Sequence, residues 1–372
     1  MTTSTRLQQV PPKQRPEAPL IALSKVVGLR DKSQLAFFCA YTEGILNKMC
    51  IVAVAGGTGD LGRTIVEAIA STGKHSIYVF TRNSSRTHPI TLIADLIPLD
   101  YDSPYKISHV LQELHVDTVI STLNLNWPGS SEAQLNLIRG SAQSGVVKRF
   151  IPSEFSIDYN VSQDRMPYPP RLDQLKAVQE LQLHTELTYT LVRNGFFLDY
   201  LGLPYAETHL HPLYFILDLR SGEAAVPGDG SAAAVFTHTR DVGRLVATLL
   251  EVAADKWPLE SAVIGERIVL NDLLFLAEKV TGRQFKKTFD SLQQLRRMET
   301  TELPSNRHCY QYFPGGKQEL DMIISTMMVG MATGVFDISG TNLQTFAPEI
   351  ETIKIEPFLK SCWAKAAQST PT

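Results

Sequence analysis

The chain has 372 residues, and its 35 Lys and Arg nearly balance its 38 Asp and Glu, so the formal net charge is only −3. This balance disfavours nucleic-acid binding, while 44% hydrophobic residues predict a globular chain with a large core in two lobes. The longest near-apolar run, residues 322–336, contains hydroxyl residues and glycines and is too short to cross a bilayer. We therefore expect no membrane segment, and the four scattered cysteines favour a cytoplasmic protein without disulfides.

Residues 1–48 differ from the rest of the chain. Residues 1–19 are polar and contain four prolines, a composition that does not form a core, so we expect disorder there. Residues 20–48 are more apolar, but Met49 stands directly before the first predicted strand. Three interpretations stay open: a poorly ordered extension, residues upstream of a natural start at Met49, or a mitochondrial presequence, since basic residues precede the first acidic residue, Glu17.

A strand, a glycine turn and a helix are predicted in succession at residues 50–72. Residues 50–55 are uncharged and β-prone, glycines follow at a spacing of three, and apolar residues then recur at helical spacing. Such a turn points the N–H groups and the positive dipole end of the helix at a pyrophosphate. The alternative is an ordinary strand-to-helix turn. The predicted cofactor-binding residues of this turn are Gly56, Thr58, Gly59, Asp60, Leu61 and Gly62.

A second predicted strand, residues 76–81, ends at Arg82. That position, about twenty residues beyond the glycines, is where a carboxylate holds a ribose 2′-hydroxyl or an arginine accepts a 2′-phosphate. Residues 83–86 are Asn, Ser, Ser and Arg, without Asp or Glu. We therefore predict NADP(H) rather than NAD(H), with an exposed arginine in a solvated loop as the alternative.

The alternation of strands and helices continues to about residue 192. Because βαβ units pair their strands in parallel through right-handed crossovers, the predicted fold is α/β, a Rossmann-like doubly wound parallel sheet. The further predicted strands are 96–100, 117–122, 149–151 and 188–192, and the predicted helices are 103–115, 131–144 and one from about 172 with Leu172, Leu175, Val178 and Leu181 facing inward.

Ligands of such sheets bind at the carboxyl ends of the strands. The residues predicted there to contact the cofactor are Asp100, Thr122, Leu123, Ser153, Phe155, Asn194 and Phe197. The aromatic residues that follow Asn194 are predicted to form one wall of a substrate pocket, with plain core packing as the alternative. These aromatic residues are Phe196, Phe197, Tyr200, Tyr205, Tyr214 and Phe215.

Beyond residue 203 the βα alternation is lost. We predict a dinucleotide-binding domain over 49–202 and a smaller α/β substrate lobe over 203–372, which returns to the sheet near 236–270. A helix is predicted near Asp241 and a strand near Ile268. No metal site is predicted, because no cysteine or carboxylate cluster accompanies the histidines of this region, His209, His211 and His238. Its methionines, Met322, Met327, Met328 and Met331, suit a core or an adaptable pocket lid.

Together these motifs resemble the isoflavone reductase and NmrA-like family of atypical short-chain dehydrogenases/reductases. The likeness covers about residues 49–364 and is carried by GGTGDLG, Arg82, DTVISTL, KRFIPSEFSID, Lys176, RDVGRLVATLLE, IVLNDLLFLAEKVTGRQF and PEIETIKIEPFLKSCW. The resemblance implies either an NADP(H)-dependent reductase of aromatic or polyketide-like molecules or a cofactor-binding regulator. Two positions depart from the plant reductases: Ser156 replaces a glycine, and Thr91 replaces a second basic residue for the 2′-phosphate.

Hydride transfer requires a proton donor or a stabilising cation near the developing oxyanion. The Tyr-x-x-x-Lys pair of ordinary short-chain dehydrogenases is absent, because Leu172 stands four residues before Lys176, and Tyr168 lies before two prolines. The resemblance implies that Lys176 is the catalytic acid or base and that Ser153 belongs to the same site. The alternative for Lys176 is a surface ion pair with Glu180.

The leading hypothesis is an NADPH-dependent reductase of a ketone, enone or related group in an apolar aromatic or polyketide-type small molecule. The rival hypothesis is an NADP(H)-sensing regulator that catalyses nothing and acts through a protein partner. The absent tyrosine favours the regulator, whereas a lysine at position 176 favours the enzyme. Neither the substrate nor the oligomeric state, monomer or dimer, follows from the sequence.

Overall fold

The structure, a computed structural model, describes residues 49–82 and 88–369, and side chains only as far as residue 366. The predicted extension over 1–48 lies outside the described residues, as do residues 83–87 with the serines and Arg86 of the 2′-phosphate argument. The described residues belong to one compact unit that begins at Met49. The division predicted between residues 202 and 203 stays a prediction.

A sheet of six parallel strands forms the centre of this unit. Its strands are β1 (Ile51–Ala55), β2 (Ser76–Thr81), β3 (Asp95–Pro98), β4 (Thr118–Ser121), β5 (Arg149–Ile151) and β6 (Thr188–Tyr189). The order across the sheet is β3-β2-β1-β4-β5-β6, and every pairing is parallel. The predicted Rossmann-like fold is therefore confirmed.

Nine α-helices are described. They are α1 (Asp60–Ser71), α2 (Pro104–Glu113), α3 (Ser130–Ser144), α4 (Arg171–Gln182), α5 (Thr239–Leu249), α6 (Leu270–Thr281), α7 (Leu292–Arg296), α8 (Gly316–Ala332) and α9 (Ile355–Ser369). A local signal explains the N-terminus of α2. Ser103 Oγ accepts the N–H of Lys106 at 3.3 Å and so caps this helix, which begins with Pro104. Helices α2 and α3 pack together, as do α1 and α5.

The rest of the chain builds three small sheets, each of three strands. The additional strands are β7 (Leu191–Arg193), β8 (Phe196–Phe197), β9 (Leu217–Asp218), β10 (Glu223–Pro227), β11 (Ala233–Thr237), β12 (Glu260–Ala262), β13 (Glu266–Val269), β14 (Lys286–Asp290) and β15 (Thr341–Asn342). The sheet orders are β14-β10-β9, β13-β11-β8 and β15-β12-β7. Short 3-10 helices occupy Pro89–Leu92, Leu198–Gly202, Ala254–Lys256, Pro304–His308, Tyr310–Tyr312 and Leu343–Thr345.

The strand predicted over 188–192 is divided between two sheets. Its first two residues, in β6, pair with β5, and its continuation in β7 pairs with β12. The backbone changes sheet because the N–H of Leu191 donates to the carbonyl of Leu259 at 2.8 Å. Thr190 supports the crossing through a 2.7 Å hydrogen bond between its hydroxyl and that of Ser261.

The predicted inward face of α4 is wrong at Leu172 and correct at Leu181, while Leu175 and Val178 are partly buried. Leu172 is 56% exposed, whereas Gln174, Ala177 and Leu181 are buried. The rotation of α4 is set by its contact with α3, where Arg139 holds Glu180 through two hydrogen bonds, Nε–Oε1 at 3.1 Å and Nη2–Oε2 at 2.9 Å. Ala177 and Leu181 pack in one core cluster with Leu137 and Ile138 of α3.

Within residues 49–82 and 88–369, no helix combines the length and apolar character that a membrane crossing requires.

Candidate dinucleotide and substrate site

The glycine turn between β1 and α1 is tightly packed at one end and open at the other. Gly56 has a positive φ of 78°, and a Cβ on Gly62 would lie 2.4 Å from both the Gly56 carbonyl oxygen and Thr122 Oγ1. A Cβ on Gly59 would meet no described atom within 4 Å. No described side chain caps α1, so the N–H groups of its first turn are available to an anionic ligand.

A cleft of about 240 Å³ adjoins this turn at the carboxyl ends of the parallel strands. Seven of the predicted site residues line it: Asp60, Leu61, Thr122, Leu123, Ser153, Phe155 and Phe197. Thr122 Oγ donates to the carbonyl of Ala55 at 2.7 Å and so joins the ends of β4 and β1. The structure thus brings residues from four separate stretches of sequence to one cavity.

The other predicted cofactor residues lie around the cleft rather than in its lining. Gly56, Thr58, Gly59 and Gly62 form the adjoining turn. Arg82 and Asp100 follow β2 and β3 at the same edge of the sheet and are exposed, and Asp100 accepts a 2.8 Å hydrogen bond from Lys106 Nζ. Asn194 is buried, and its Oδ1 has no hydrogen-bond partner among the described residues.

Ser153 is held by two hydrogen bonds. Its N–H donates to Gln134 Oε1 and its Oγ donates to the Leu123 carbonyl, both at 2.8 Å. The next residue but one, Phe155, has a positive φ of 25°, which is rare for a bulky side chain. Ser153, Glu154 and Phe155 of this segment all line the cleft.

Lys176 does not line the cleft. Its side chain is 57% exposed and its Nζ lies 2.9 Å from Asp173 Oδ1 on the outer face of α4. The alternative predicted for it, a pair with Glu180, is wrong, because Lys176 pairs with Asp173 and Glu180 binds Arg139. The residue of α4 that does line the cleft is Gln174, two positions earlier. The catalytic role of Lys176 stays a prediction, without support from this arrangement.

Four of the predicted aromatic residues, Phe196, Phe197, Tyr200 and Phe215, line the cleft. The rings of Phe196 and Phe215 pack edge to face with centroids 4.9 Å apart. Tyr205 instead packs against Trp363, and Tyr214 is held at its backbone by Asn306. Of the methionines on α8, Met327 reaches the cleft.

Sequence reasoning missed several cleft residues. They are Glu154, Tyr159, Tyr168, Gln174, Leu210, Leu213, Ile323 and Phe336. Tyr168 reaches the site because the segment before α4 folds over it, and its hydroxyl donates to Asn126 Oδ1 at 2.5 Å. Burial raises the pKa values of Tyr159, Tyr168 and Tyr200 above that of a free tyrosine. The only signal for Tyr159 and Tyr168 in the sequence is their place in the loop that follows Ser153, after β5.

Two histidines in the second half of the chain, His209 and His211, each contact one carboxylate. His211 Nδ1 lies 2.6 Å from Asp60 Oδ1, and His209 Nε2 lies 2.8 Å from Glu67 Oε2. Both contacts connect the segment that carries Leu210 to α1. Among the described residues, no group of three or more His, Cys, Asp or Glu side chains is arranged to hold a metal ion.

The strand order reverses its direction between β1 and β4, and the cleft lies at that point, outside the carboxyl ends of the strands. This position defines a Rossmann-type dinucleotide-binding protein. The chain belongs to the NmrA-like family, whose model matches residues 48–327.

Individual relatives agree with this assignment. The chain is 36% identical to oxidoreductase swnN of Metarhizium robertsii over 87% of this chain and 100% of that protein. It is 30% identical to the isoflavone reductase homolog IRL of Zea mays over 68% of this chain and 82% of that protein. The predicted family and the predicted oxidoreductase class are therefore confirmed.

The fold is similar to that of the leucoanthocyanidin reductase–NADPH binary complex from Vitis vinifera. The TM-score is 0.63 at 18% sequence identity, covering 84% of this chain and 99% of that chain. At this identity the likeness concerns the fold.

Proposed function

We propose that the protein is an NADPH-dependent reductase of a ketone, enone or related group in an apolar aromatic or polyketide-type small molecule. One observation carries the proposal: a single cleft is lined both by the dinucleotide turn, through Asp60 and Leu61, and by aromatic rings, through Phe196 and Phe215. A reductase needs this juxtaposition, because cofactor and substrate must meet in one cavity.

The residues present fit NADPH. The open side of the glycine turn and the N-terminus of α1 suit a pyrophosphate, and Arg82 at the end of β2 suits a 2′-phosphate. Thr122 and Leu123 would lie along the nicotinamide ribose, and Ser153 and Phe155 beside the nicotinamide. NADPH, which is bound in the leucoanthocyanidin reductase structure, supplies a hydride when present.

The lining of the cleft supports an apolar substrate. Beyond the aromatic wall it contains Leu213, Ile323 and Met327, while Asn124 and Asn126 offer a few directed polar groups. Apolar walls with few polar groups are typical of sites for drug-sized organic molecules. We also propose a cytoplasmic location, from the scattered cysteines, and leave monomer and dimer as alternatives.

A second candidate is the regulator that binds NADP(H) without catalysis. The outward position of Lys176 favours it, because the lysine that distinguished an enzyme from a regulator is paired with Asp173 instead of facing the cleft. Retention of Ser153 in the cleft favours the reductase.

The test is a fluorescence titration of the purified protein with NADPH and NADH, followed by NADPH oxidation with a panel of aromatic ketones, enones and quinones. The reductase proposal expects tighter binding of NADPH than of NADH and turnover of at least one apolar substrate. Comparable binding of NADP⁺ and NADPH, with no turnover across the panel and a co-purifying partner protein, would favour the regulator.

A further inference from the structure

A second cavity, of about 300 Å³, lies behind the cleft and shares a wall with it. Glu154, Tyr159 and Gln174 line both cavities. The second cavity is also lined by Asp158 and Glu260, whose side chains are 43% and 47% exposed. It therefore leads from the shared wall towards solvent.

Among the described residues, Glu154 is the one carboxyl group that lines both cavities. Its side chain is only 4% exposed, and its Oε2 has no hydrogen-bond partner among those residues. It stands in the sequence between Ser153 and Phe155, both of which line the cleft. The Oε2 atom of this buried carboxyl group therefore has an unused hydrogen-bonding position, as a proton carrier between the two cavities requires.

Arg193 contacts this carboxyl group weakly. Its Nε lies 3.8 Å from Glu154 Oε1, whereas its Nη2 lies 3.1 Å from Glu260 Oε1 and 3.3 Å from Asp158 Oδ1. One guanidinium thus faces three carboxyl groups and neutralises the two more exposed ones at shorter range.

Burial raises the pKa of Glu154 to about 8. The negative charges of Asp158 and Glu260 act in the same direction, while Arg193 and the backbone N–H of Tyr159 favour the ionised form. The remaining titratable groups facing it, Tyr159 and Tyr189, have raised pKa values and stay neutral. At neutral pH the carboxyl group therefore carries a proton, and a pKa near the working pH suits a general acid.

We propose that Glu154 donates the proton in the reduction and regains it from solvent through the second cavity. This inference rests on the proposed function. With bound NADPH as the hydride source, reduction of a carbonyl group would require one proton at the carbonyl oxygen, which Glu154 would supply, becoming a carboxylate. The products are an alcohol and NADP⁺, and a proton from water in the second cavity restores the acid.

The central variant is Glu154→Gln, which keeps size and shape but cannot release a proton. We expect saturated turnover to fall by about 10²- to 10⁴-fold, the usual effect of a positioned acid. Wild-type turnover should decline above a pH of about 8, and this limb should disappear in the variant. The dissociation constant of NADPH should stay within about threefold, because the glycine turn is unchanged.

A second readout needs no cofactor. Infrared spectra of the protein alone should show the C=O stretch of a buried protonated carboxyl group at pH 6, lost with a midpoint near 8 and absent from Glu154→Gln. Asp158→Asn removes a neighbouring negative charge, so it should move both this midpoint and the alkaline limb of turnover to lower pH. Glu154→Asp, which retains a titrating carboxyl group, should keep the infrared band and the alkaline limb, and it tests the assignment if the glutamine variant does not fold.

Retention of turnover within about threefold in Glu154→Gln would overturn the donor role and leave the proposed function standing. Absence of the infrared band in the wild type at pH 6 would overturn the assignment of a protonated acid. If wild-type protein binds NADPH but oxidises it with no substrate, the proposed function and the donor role fall together, whatever the infrared result.

Discussion

The ammonium group of Lys176 lies 2.9 Å from the carboxylate of Asp173, on the solvent side of α4. Gln174, between these two residues, points the other way and lines the cleft. Successive helical residues are separated by about 100°, so one helix cannot present both Gln174 and Lys176 to the same cavity. Family resemblance therefore predicts that Lys176 takes part in catalysis, whereas its position on α4 predicts that it does not.

Lys176→Met tests these views. From the geometry we expect turnover and NADPH affinity to stay within about threefold, because an exposed ion pair contributes little. Steady-state kinetics and fluorescence titration measure the two quantities, and Asp173→Asn is the control, since it breaks the same pair. A fall in saturated turnover by about 10²-fold or more would instead support the catalytic role that the resemblance implies.

Two glycine substitutions should separate packing from phosphate binding. In Gly62→Ala the new methyl group would lie 2.4 Å from a backbone oxygen, so we expect marked destabilisation together with loss of cofactor binding. In Gly59→Ala the methyl group enters open space, so the melting temperature should be nearly unchanged while the Kd of NADPH rises about tenfold or more. Calorimetry measures the melting temperature, and fluorescence titration measures the Kd of NADPH. Unchanged affinity in Gly59→Ala would show that the pyrophosphate does not approach this turn.

Arg82→Ala should weaken NADPH binding selectively. A hydrogen bond to a charged group contributes about 1.5–3 kcal/mol, so we expect the Kd of NADPH to rise roughly 10- to 100-fold at low salt. The Kd of NADH, which lacks the 2′-phosphate, should change little. Lys148→Ala removes a lysine at the other end of the sheet, just before β5, and is the matched control. Equal losses for both cofactors would contradict the proposed contact with the 2′-phosphate.

The stability of the protein should depend on pH through Glu154. Its pKa is raised from an ordinary 4.5 to about 8 in the folded state, so folding favours the protonated form. The stabilisation is complete below 4.5 and is lost as the pH rises through about 8. Compared with Glu154→Gln, the wild type should therefore lose melting temperature between pH 6 and 9. Parallel pH profiles of the two proteins would argue against a buried acid.

Much of the fold could be predicted from local patterns. The bounds of β2 and β5 match the predicted 76–81 and 149–151, because a buried strand is marked by its own residues and by the turns around it. Ser103 and the glycines likewise act through their immediate neighbours, as cap and turn. The same motifs predicted the family. They also predicted where the site lies, because the ligand site of a Rossmann-type sheet follows from the order of its strands.

Tertiary structure alone decided which side chains meet in the cleft. The apolar spacing of α4 predicted Leu172 and Leu181 on the inner face, but the folded helix buries Gln174, Ala177 and Leu181 and leaves Leu172 and Lys176 exposed. Glu154 was visible in the sequence only as part of a motif. Its protonation depends on burial and on Arg193, a residue far along the chain. Rotation, burial and charge come from non-local contacts, which a periodic pattern does not record.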